Sequence, residues 1–192
     1  MKNFSYLFLG FCLYIPSFLI NAEIVIDGKL DEDEWQNARQ ISSFYEVFPY
    51  TLNPVEDIKT VILIQESSEG IFLGFKNYQS NESMRSQSHQ RDNERSIADK
   101  NGVTIDFDAD KLSGYQFFVS SSGSIGDATY SNENERSYDW DADWLSAAST
   151  EEGVWYSEMF IPWTVAPMKA QSGEQRKVRM AFYRMLAGPQ RV

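Results

Sequence analysis

Residues 24–38 read Ile-Val-Ile-Asp-Gly-Lys-Leu-Asp-Glu-Asp-Glu-Trp-Gln-Asn-Ala, and this stretch decides the fold. Its first half alternates as a β-strand does and then reaches Asp27 and Gly28. Glycine readily adopts the positive φ that a tight turn often requires. The stretch therefore predicts a strand that enters a turn at Gly28.

A single helical turn is expected to follow. Asp31 is placed to be its N-cap, and Glu34, three residues later, completes a capping box. Leu30 precedes the cap and is expected to pack on Trp35 as a hydrophobic staple. We assign Trp35 a structural role.

The N-terminus has the pattern of a secretory signal peptide. Lys2 is followed by an uncharged, largely apolar run over residues 4–20, and Ala22 offers a cleavage point. A retained anchor is the alternative, because the run is near the lower limit for spanning a bilayer. Cys12 is the only cysteine, so the mature chain, residues 23–192, would contain no disulfide. We expect export to the periplasm or the extracellular space.

The length of the mature chain suits one domain with a full hydrophobic core. The formal net charge of −11 disfavours nucleic acid and anionic membrane surfaces as partners. We expect no membrane insertion of this domain. Aromatic residues make up 15% of the chain and no helical periodicity runs beyond a couple of turns, which favours strands and turns.

Short alternating or apolar runs separated by turn residues predict about nine strands, the most secure pair being a hairpin of residues 59–65 with 71–76. The polar stretch 78–98 is a long loop. The predicted fold is all-β, an antiparallel, jelly-roll-like β-sandwich of two sheets with one short capped helical turn. The predicted strands are 44–48, 59–65, 71–76, 102–108, 115–119, 124–130, 144–150, 154–161 and 178–185.

Three stretches together resemble family-9 carbohydrate-binding modules. The opening reads Ile-Asp-Gly-x-Leu-Asp-Glu-x-x-Trp at residues 26–35. Val-Thr-Ile-Asp-Phe-Asp at 103–108 precedes Gly-Tyr-x-Phe at 114–117, and Gly-Val-Trp at 153–155 precedes Glu-x-x-Ile-Pro-Trp at 158–163. The order and spacing cover nearly the whole mature chain.

The resemblance implies a non-catalytic sugar-binding module, of the kind attached to glycoside hydrolases. Similar domains also form the exported N-terminus of outer-membrane barrel proteins, which the stretch 140–144 resembles more. Family members clamp a sugar between two tryptophans, but residues 96–99 contain no aromatic side chain. The second tryptophan region is missing, because the similarity stops before the family's terminal strand. We therefore expect a truncated domain whose catalytic or barrel partner domain is absent from this chain, and the family's saccharide site does not carry over.

Residues 138–144, Tyr-Asp-Trp-Asp-Ala-Asp-Trp, hold the densest set of candidate ligand-binding side chains. In an extended chain Trp140 and Trp144 share one face and the aspartates the other. Tryptophan stacks on pyranose rings and carboxylates accept hydroxyl hydrogen bonds, but the two faces point apart. The interpretation we favour for Trp144 is a structural one, in the core, with the aspartates forming a solvated edge. The candidates are Trp140, Asp139, Asp141, Tyr115, Arg91 and Asp92; for the last two, tying down the long loop is the alternative.

Oxygen ligands crowd the turn that contains Asp106, Asp108 and Asp110. This arrangement suits calcium, and the resemblance also implies such ions. Alternating aspartates on an exposed strand are the other interpretation. Structural calcium at these three residues is the one cofactor that the sequence suggests.

Glu158 shares a strand face with apolar residues, so burial must be compensated. Arg179 or Arg184 is the expected ion-pair partner, which favours a structural role over a catalytic one. His89 has no nucleophile motif to work with. We expect a binding domain for saccharide or polysaccharide, not an enzyme; the alternatives are a structural or interaction domain, or a glycoside hydrolase with two carboxylates about 5 to 9.5 Å apart.

Overall fold

The structure is a computed structural model that describes residues 24–47, 58–93, 95–132, 135–170 and 176–187. The predicted signal peptide lies outside the described residues. One 3-10 helix, Asp33–Asn37, precedes the strands. The strands are β1 Arg39–Ile41, β2 Thr60–Glu66, β3 Gly70–Tyr78, β4 Lys100–Asp106, β5 Ser113–Ser120, β6 Ile125–Ser131, β7 Glu135–Ser137, β8 Leu145–Glu151, β9 Val154–Pro162 and β10 Arg179–Met185.

The strands form two five-stranded sheets. The first sheet has the order β1-β2-β3-β9-β8, and the second has the order β10-β4-β5-β6-β7. Every pairing is antiparallel. The predicted antiparallel β-sandwich is confirmed, and so is the hairpin of β2 with β3. Among the described residues, no helix has the length and apolar composition that crossing a bilayer requires.

The main core lies between the sheets and follows the period of two that strands impose. On β3, the buried side chains of Ile71, Leu73 and Phe75 alternate with more accessible or smaller ones. Val103 and Ile105 of β4 and Phe117 of β5 supply part of the opposite wall. Alternation in the sequence therefore selects which side of each strand faces the core.

A second, smaller core covers the outer face of the first sheet. Trp35 packs there with Val61 and Leu63 of β2. A Cβ atom at Gly74 would lie 2.5 Å from a Leu30 methyl carbon, so only glycine lets Leu30 sit this close to β3. The opening stretch thus lies across the sheet, which explains why β2 is apolar on both faces.

Gly28 makes the predicted turn with a φ of +88°. A Cβ atom there would lie 2.8 Å from the carbonyl carbon of Ala148 on β8. The position therefore requires glycine for two reasons, backbone conformation and close approach.

The predicted capping box at Asp31 and Glu34 is wrong. The helix begins at Asp33, with Glu32 at the N-cap position and no side-chain cap hydrogen bond. The Glu32 carboxylate instead accepts a hydrogen bond from the Val25 N–H. A five-residue 3-10 helix makes few internal hydrogen bonds, so it has little structure for a cap to stabilise.

The predicted strand at residues 44–48 is also wrong. The strand in this region is β1, which pairs with β2 through the Ile41–Ile62 register. Phe44 packs on the core outside any strand, and Phe48 lies outside the described residues. The short strand β7 was not predicted. Three-residue edge strands depend on the neighbour they pair with, so their own sequence gives no signal.

Candidate functional site

Burial divides the five tryptophans into two groups. Trp35, Trp144 and Trp155 are buried, the last completely. Trp140 and Trp163 are half-buried. A saccharide ring needs an accessible aromatic face, so only these two tryptophans are candidates for stacking.

Trp140 lies on an extended segment, residues 138–144, that crosses from β7 of the second sheet to β8 of the first. Its ring contacts Tyr115 edge-on, with centroids 5.0 Å apart, and lies 5.9 Å from Phe117. The segment alternates as predicted, with Trp140 inward and Asp139 and Asp141 exposed. The structure therefore brings Trp140 and Tyr115 together beside two carboxylates. Burial raises the pKa of Tyr115, and the charge of Asp108 adds to the rise.

Trp144 is a core residue, as predicted. Its indole ring packs edge-on against Phe117, with centroids 5.3 Å apart. Its Nε1–H donates a hydrogen bond of 2.8 Å to an oxygen of Asp127. A buried indole N–H needs such an acceptor.

Asp127 was not predicted from the sequence, although it contacts three of the predicted site residues, Arg91, Asp92 and Trp144. Its side chain is 0% exposed and faces the core from β6. Besides Trp144, it pairs with the guanidinium of Arg91 and accepts a hydrogen bond from the Ala142 N–H. A signal did exist, since period two on β6 turns Asp127 to the same face as Ile125.

Arg91 and Asp92 both contact this cluster. Arg91 Nε lies 3.2 Å from Asp141, and Nη2 donates to the Ala142 carbonyl at 2.9 Å. Asp92 accepts a hydrogen bond of 2.8 Å from the Asp127 N–H. Burial raises the pKa of Asp92; the Asp127 N–H opposes the rise, and the charges of Asp127 and Asp141 add to it. These contacts support the alternative that the pair ties down the long loop.

Three carboxylates, Asp92, Asp127 and Asp141, place oxygens within 4.8 Å of one another. Among the described residues, these three acidic side chains are the ones that lie close enough together to share a metal ion. The guanidinium of Arg91 already supplies positive charge to Asp127 and Asp141. This one cation therefore offsets part of the negative charge of the cluster.

Asp106, Asp108 and Asp110, the predicted calcium ligands, accept hydrogen bonds from the protein. Asp106 accepts the N–H groups of Asp108 and Lys111. The other two carboxylates contact cations: Asp108 pairs with Arg176 at 3.3 Å, and Asp110 pairs with Lys169. Donors within the chain thus compensate these charges, and calcium at this turn stays a prediction.

The predicted ion pair of Glu158 with Arg179 or Arg184 is wrong. Glu158 is 0% exposed, and its Oε2 accepts hydrogen bonds from the N–H groups of Asp27 at 3.0 Å and Gly28 at 2.7 Å. Burial raises the pKa of Glu158 to about 7, against the effect of the two N–H donors. The reason for the error is topological: Glu158 faces away from the second sheet, where both arginines lie.

Arg184 has a structural role of its own. Its guanidinium donates to Thr60 Oγ1 at 2.9 Å and to the side-chain oxygen of Gln79 at 2.6 Å, which ties β10 to the first sheet. Burial lowers its pKa to about 10, with the charge of Asp99 opposing. Arg179 is exposed at the start of β10, opposite Asp106 in the ladder.

A large recess lies on the opposite side of the sandwich, between β1 and β10. It has a volume of about 990 Å³ and contains none of the predicted ligand-binding residues. Its walls come from core side chains such as Ile64 and Phe182, with Trp163 at one end. The Trp163 indole N–H already donates to the Ser67 carbonyl at 3.0 Å.

The sequence matches no family model and no curated protein. The fold does match solved structures. One is a family-9 carbohydrate-binding module from Caldicellulosiruptor kristjanssonii in complex with cellotriose, with a TM-score of 0.52 and 12% identity over 83% of this chain and 79% of that chain. Another is such a module from the same organism in complex with glucose, with a TM-score of 0.52 and 13% identity over 83% and 81%. The chain therefore has the β-sandwich fold of family-9 carbohydrate-binding modules, as the resemblance implied.

Proposed function

We propose that this chain is a non-catalytic carbohydrate-binding domain that stacks a saccharide ring on Trp140. The observation that carries the proposal is the half-buried Trp140 beside the exposed carboxylates of Asp139 and Asp141. An indole face removes the apolar C–H face of a sugar from water, and carboxylates accept hydrogen bonds from its hydroxyl groups. The likeness in fold to modules in complex with cellotriose and glucose supports this class of ligand.

The test is a comparison of Trp140→Ala with Trp163→Ala, because these are the two tryptophans with accessible rings. Binding to cellotriose is measured by calorimetry, and retention is measured on insoluble cellulose and other polysaccharides. We expect Trp140→Ala to weaken binding at least about tenfold, the order that the loss of one stacked ring implies. Trp163→Ala is the matched control and should bind as the wild type does.

Three other results would change the proposal. Loss of binding in Trp163→Ala alone would move the site to the recess. A wild-type chain that binds no saccharide on a glycan array would favour a structural or interaction domain. Release of reducing sugar from a polysaccharide would indicate a glycoside hydrolase.

The proposal also includes the setting of the domain. We infer that it works outside the cytoplasm, accessory to polysaccharide breakdown or glycan recognition, beside a catalytic or barrel domain. The apolar run at residues 4–20 and the confinement of cysteine to Cys12 support export. Structural calcium at Asp106, Asp108 and Asp110 belongs to the same proposal, and a lower melting temperature in excess chelator is its expected sign.

A further inference from the structure

The segment that carries Trp140 is held by side chains where a strand would be held by a neighbouring backbone. Residues 138–144 belong to no strand. At its centre, Ala142 donates its N–H to Asp127 and accepts at its carbonyl from Arg91. Two side chains thus replace the ladder hydrogen bonds that β7 and β8 receive from their partners.

The Asp127 carboxylate binds the segment at two residues, Ala142 and Trp144. One oxygen accepts from the Ala142 N–H at 3.4 Å, and the other accepts from the Trp144 indole at 2.8 Å. Because Asp127 is fully buried on β6, its carboxylate is anchored to the second sheet. A carboxylate buried this deeply must keep its cation, which is Arg91.

Arg91 holds the segment from the other side. One guanidinium contacts Asp127, the Ala142 carbonyl and the Asp141 carboxylate, the last exposed by 77%. A planar guanidinium makes several such contacts at fixed angles, which a lysine ammonium cannot do. The loop that carries Arg91 is itself attached to β6, because the Asp92 N–H donates to the Ile125 carbonyl and its carboxylate accepts from Asp127.

We propose that Asp127 and Arg91 are positioning residues that fix the Trp140 segment in the conformation that binds saccharide. This inference rests on the proposed function. Neither residue needs to touch the sugar. They act by holding Ala142 and Asp141, the residues on the C-terminal side of Trp140, so that the indole keeps its contact with Tyr115.

The experiment compares Arg91→Met, Arg91→Lys and Asp127→Asn in the full chain. Arg85→Met is the matched control, since Arg85 is an exposed arginine of the same loop whose guanidinium donates to the nearby carbonyls of Glu82 and Met84. Three quantities are measured: the exchange rate of the Ala142 amide hydrogen, the affinity for cellotriose, and the melting temperature. Arg91→Met should speed Ala142 exchange at least tenfold and weaken cellotriose binding at least tenfold.

Arg91→Lys separates positioning from simple stability. It keeps the charge beside Asp127, so the melting temperature should stay near that of the wild type. Affinity should still fall, because one ammonium cannot hold Asp127, Asp141 and the Ala142 carbonyl together. Full affinity in Arg91→Lys, or unchanged Ala142 exchange in Arg91→Met, would overturn the inference.

The exchange measurement also separates this inference from the proposed function. A wild-type chain that does not bind cellotriose or other saccharides would overturn the proposed function. The exchange rate of the Ala142 amide hydrogen would then show by itself whether Arg91 and Asp127 fix the segment. If Asp127→Asn fails to fold, the two Arg91 variants still decide the outcome.

Discussion

Glu158 is a buried carboxylic acid whose hydrogen-bond donors are two backbone N–H groups. Its Oε2 binds the turn at Gly28, and its Oε1 has no hydrogen-bond donor among the described residues. Burial disfavours the charged form more than the two N–H donors favour it, so the pKa lies at about 7 in the folded state. Between pH 4.5 and about 7, the folded protein therefore keeps a proton on Glu158 that the unfolded chain, with a pKa near 4.5, has released.

This difference predicts a pH-dependent stability. The contribution of Glu158 to the free energy of unfolding is fully present below pH 4.5 and is lost as the pH rises through about 7. The loss is at most about 3 kcal/mol. Urea unfolding of the wild type and of Glu158→Gln across pH 4 to 8 measures the effect as the difference between their slopes. Glu151→Gln, at an exposed carboxylate, is the control. Equal slopes for wild type and Glu158→Gln would show that the side chain titrates normally.

At Trp144 and Trp140, the burial of each ring determines how much stability its removal costs. Trp144→Ala removes a buried ring and leaves Asp127 without one of its donors, so a loss of about 3 to 5 kcal/mol is expected. Trp140→Ala removes a half-buried ring and should cost less, about 1 to 2 kcal/mol. Chemical denaturation measures both. Similar costs for the two variants would mean that the burial of these rings does not differ as described.

At the scale of elements, the opening stretch is attached to the first sheet at one turn. Gly28 N–H binds Glu158 on β9, and the Gly28 carbonyl accepts a hydrogen bond of 2.6 Å from Ser149 on β8. This turn places Leu30 and Trp35 over Gly74, where they form the second core. Disturbing the turn should therefore weaken a whole layer of the fold.

Gly28→Ala tests this attachment against a matched glycine. Gly123 has nearly the same φ, +80°, but no atom within 4 Å of an added Cβ. Gly123→Ala should therefore cost only the backbone strain, roughly 1 to 2 kcal/mol. Gly28→Ala should cost distinctly more, because its Cβ meets the backbone of Ala148 at 2.8 Å. Urea unfolding gives both values, and equal costs would contradict the close approach.

At the scale of the whole molecule, the two sides of the sandwich differ. The segment 138–144 closes the side between β7 and β8 with two tryptophans. The recess between β1 and β10 leaves core side chains such as Ile64 and Phe182 half-buried. The candidate binding surface, which includes Trp140, lies on the closed side, where its ring packs against Tyr115 and Phe117.

The predicted export has a direct test at this scale. Mass spectrometry of the protein made in an exporting host should find an N-terminus near Glu23, because the apolar run ends at Ala22. The cause is cleavage after the small residue. Membrane-bound material with an intact Met1 would favour the anchor instead.

The sequence by itself determined most of the strands, their inward faces and the turn at Gly28. These features are local, because a period of two or a positive φ is expressed by neighbouring residues. The same alternation in the sequence also indicated that Trp144 is buried while the aspartates beside it are exposed. The edge strands β1 and β7 were the exception, because their strand conformation depends on hydrogen bonds to the neighbouring strands β2 and β6.

Only the tertiary structure decided how the buried charges are compensated. Glu158 finds its donors 130 and 131 residues away, in a turn, and not in an arginine of the last strand. Asp127 gathers Arg91 from 36 residues before it and Trp144 from 17 residues after it. A buried charge requires a partner, but which partner it meets depends on how the sheets stack, and no local pattern contains that information.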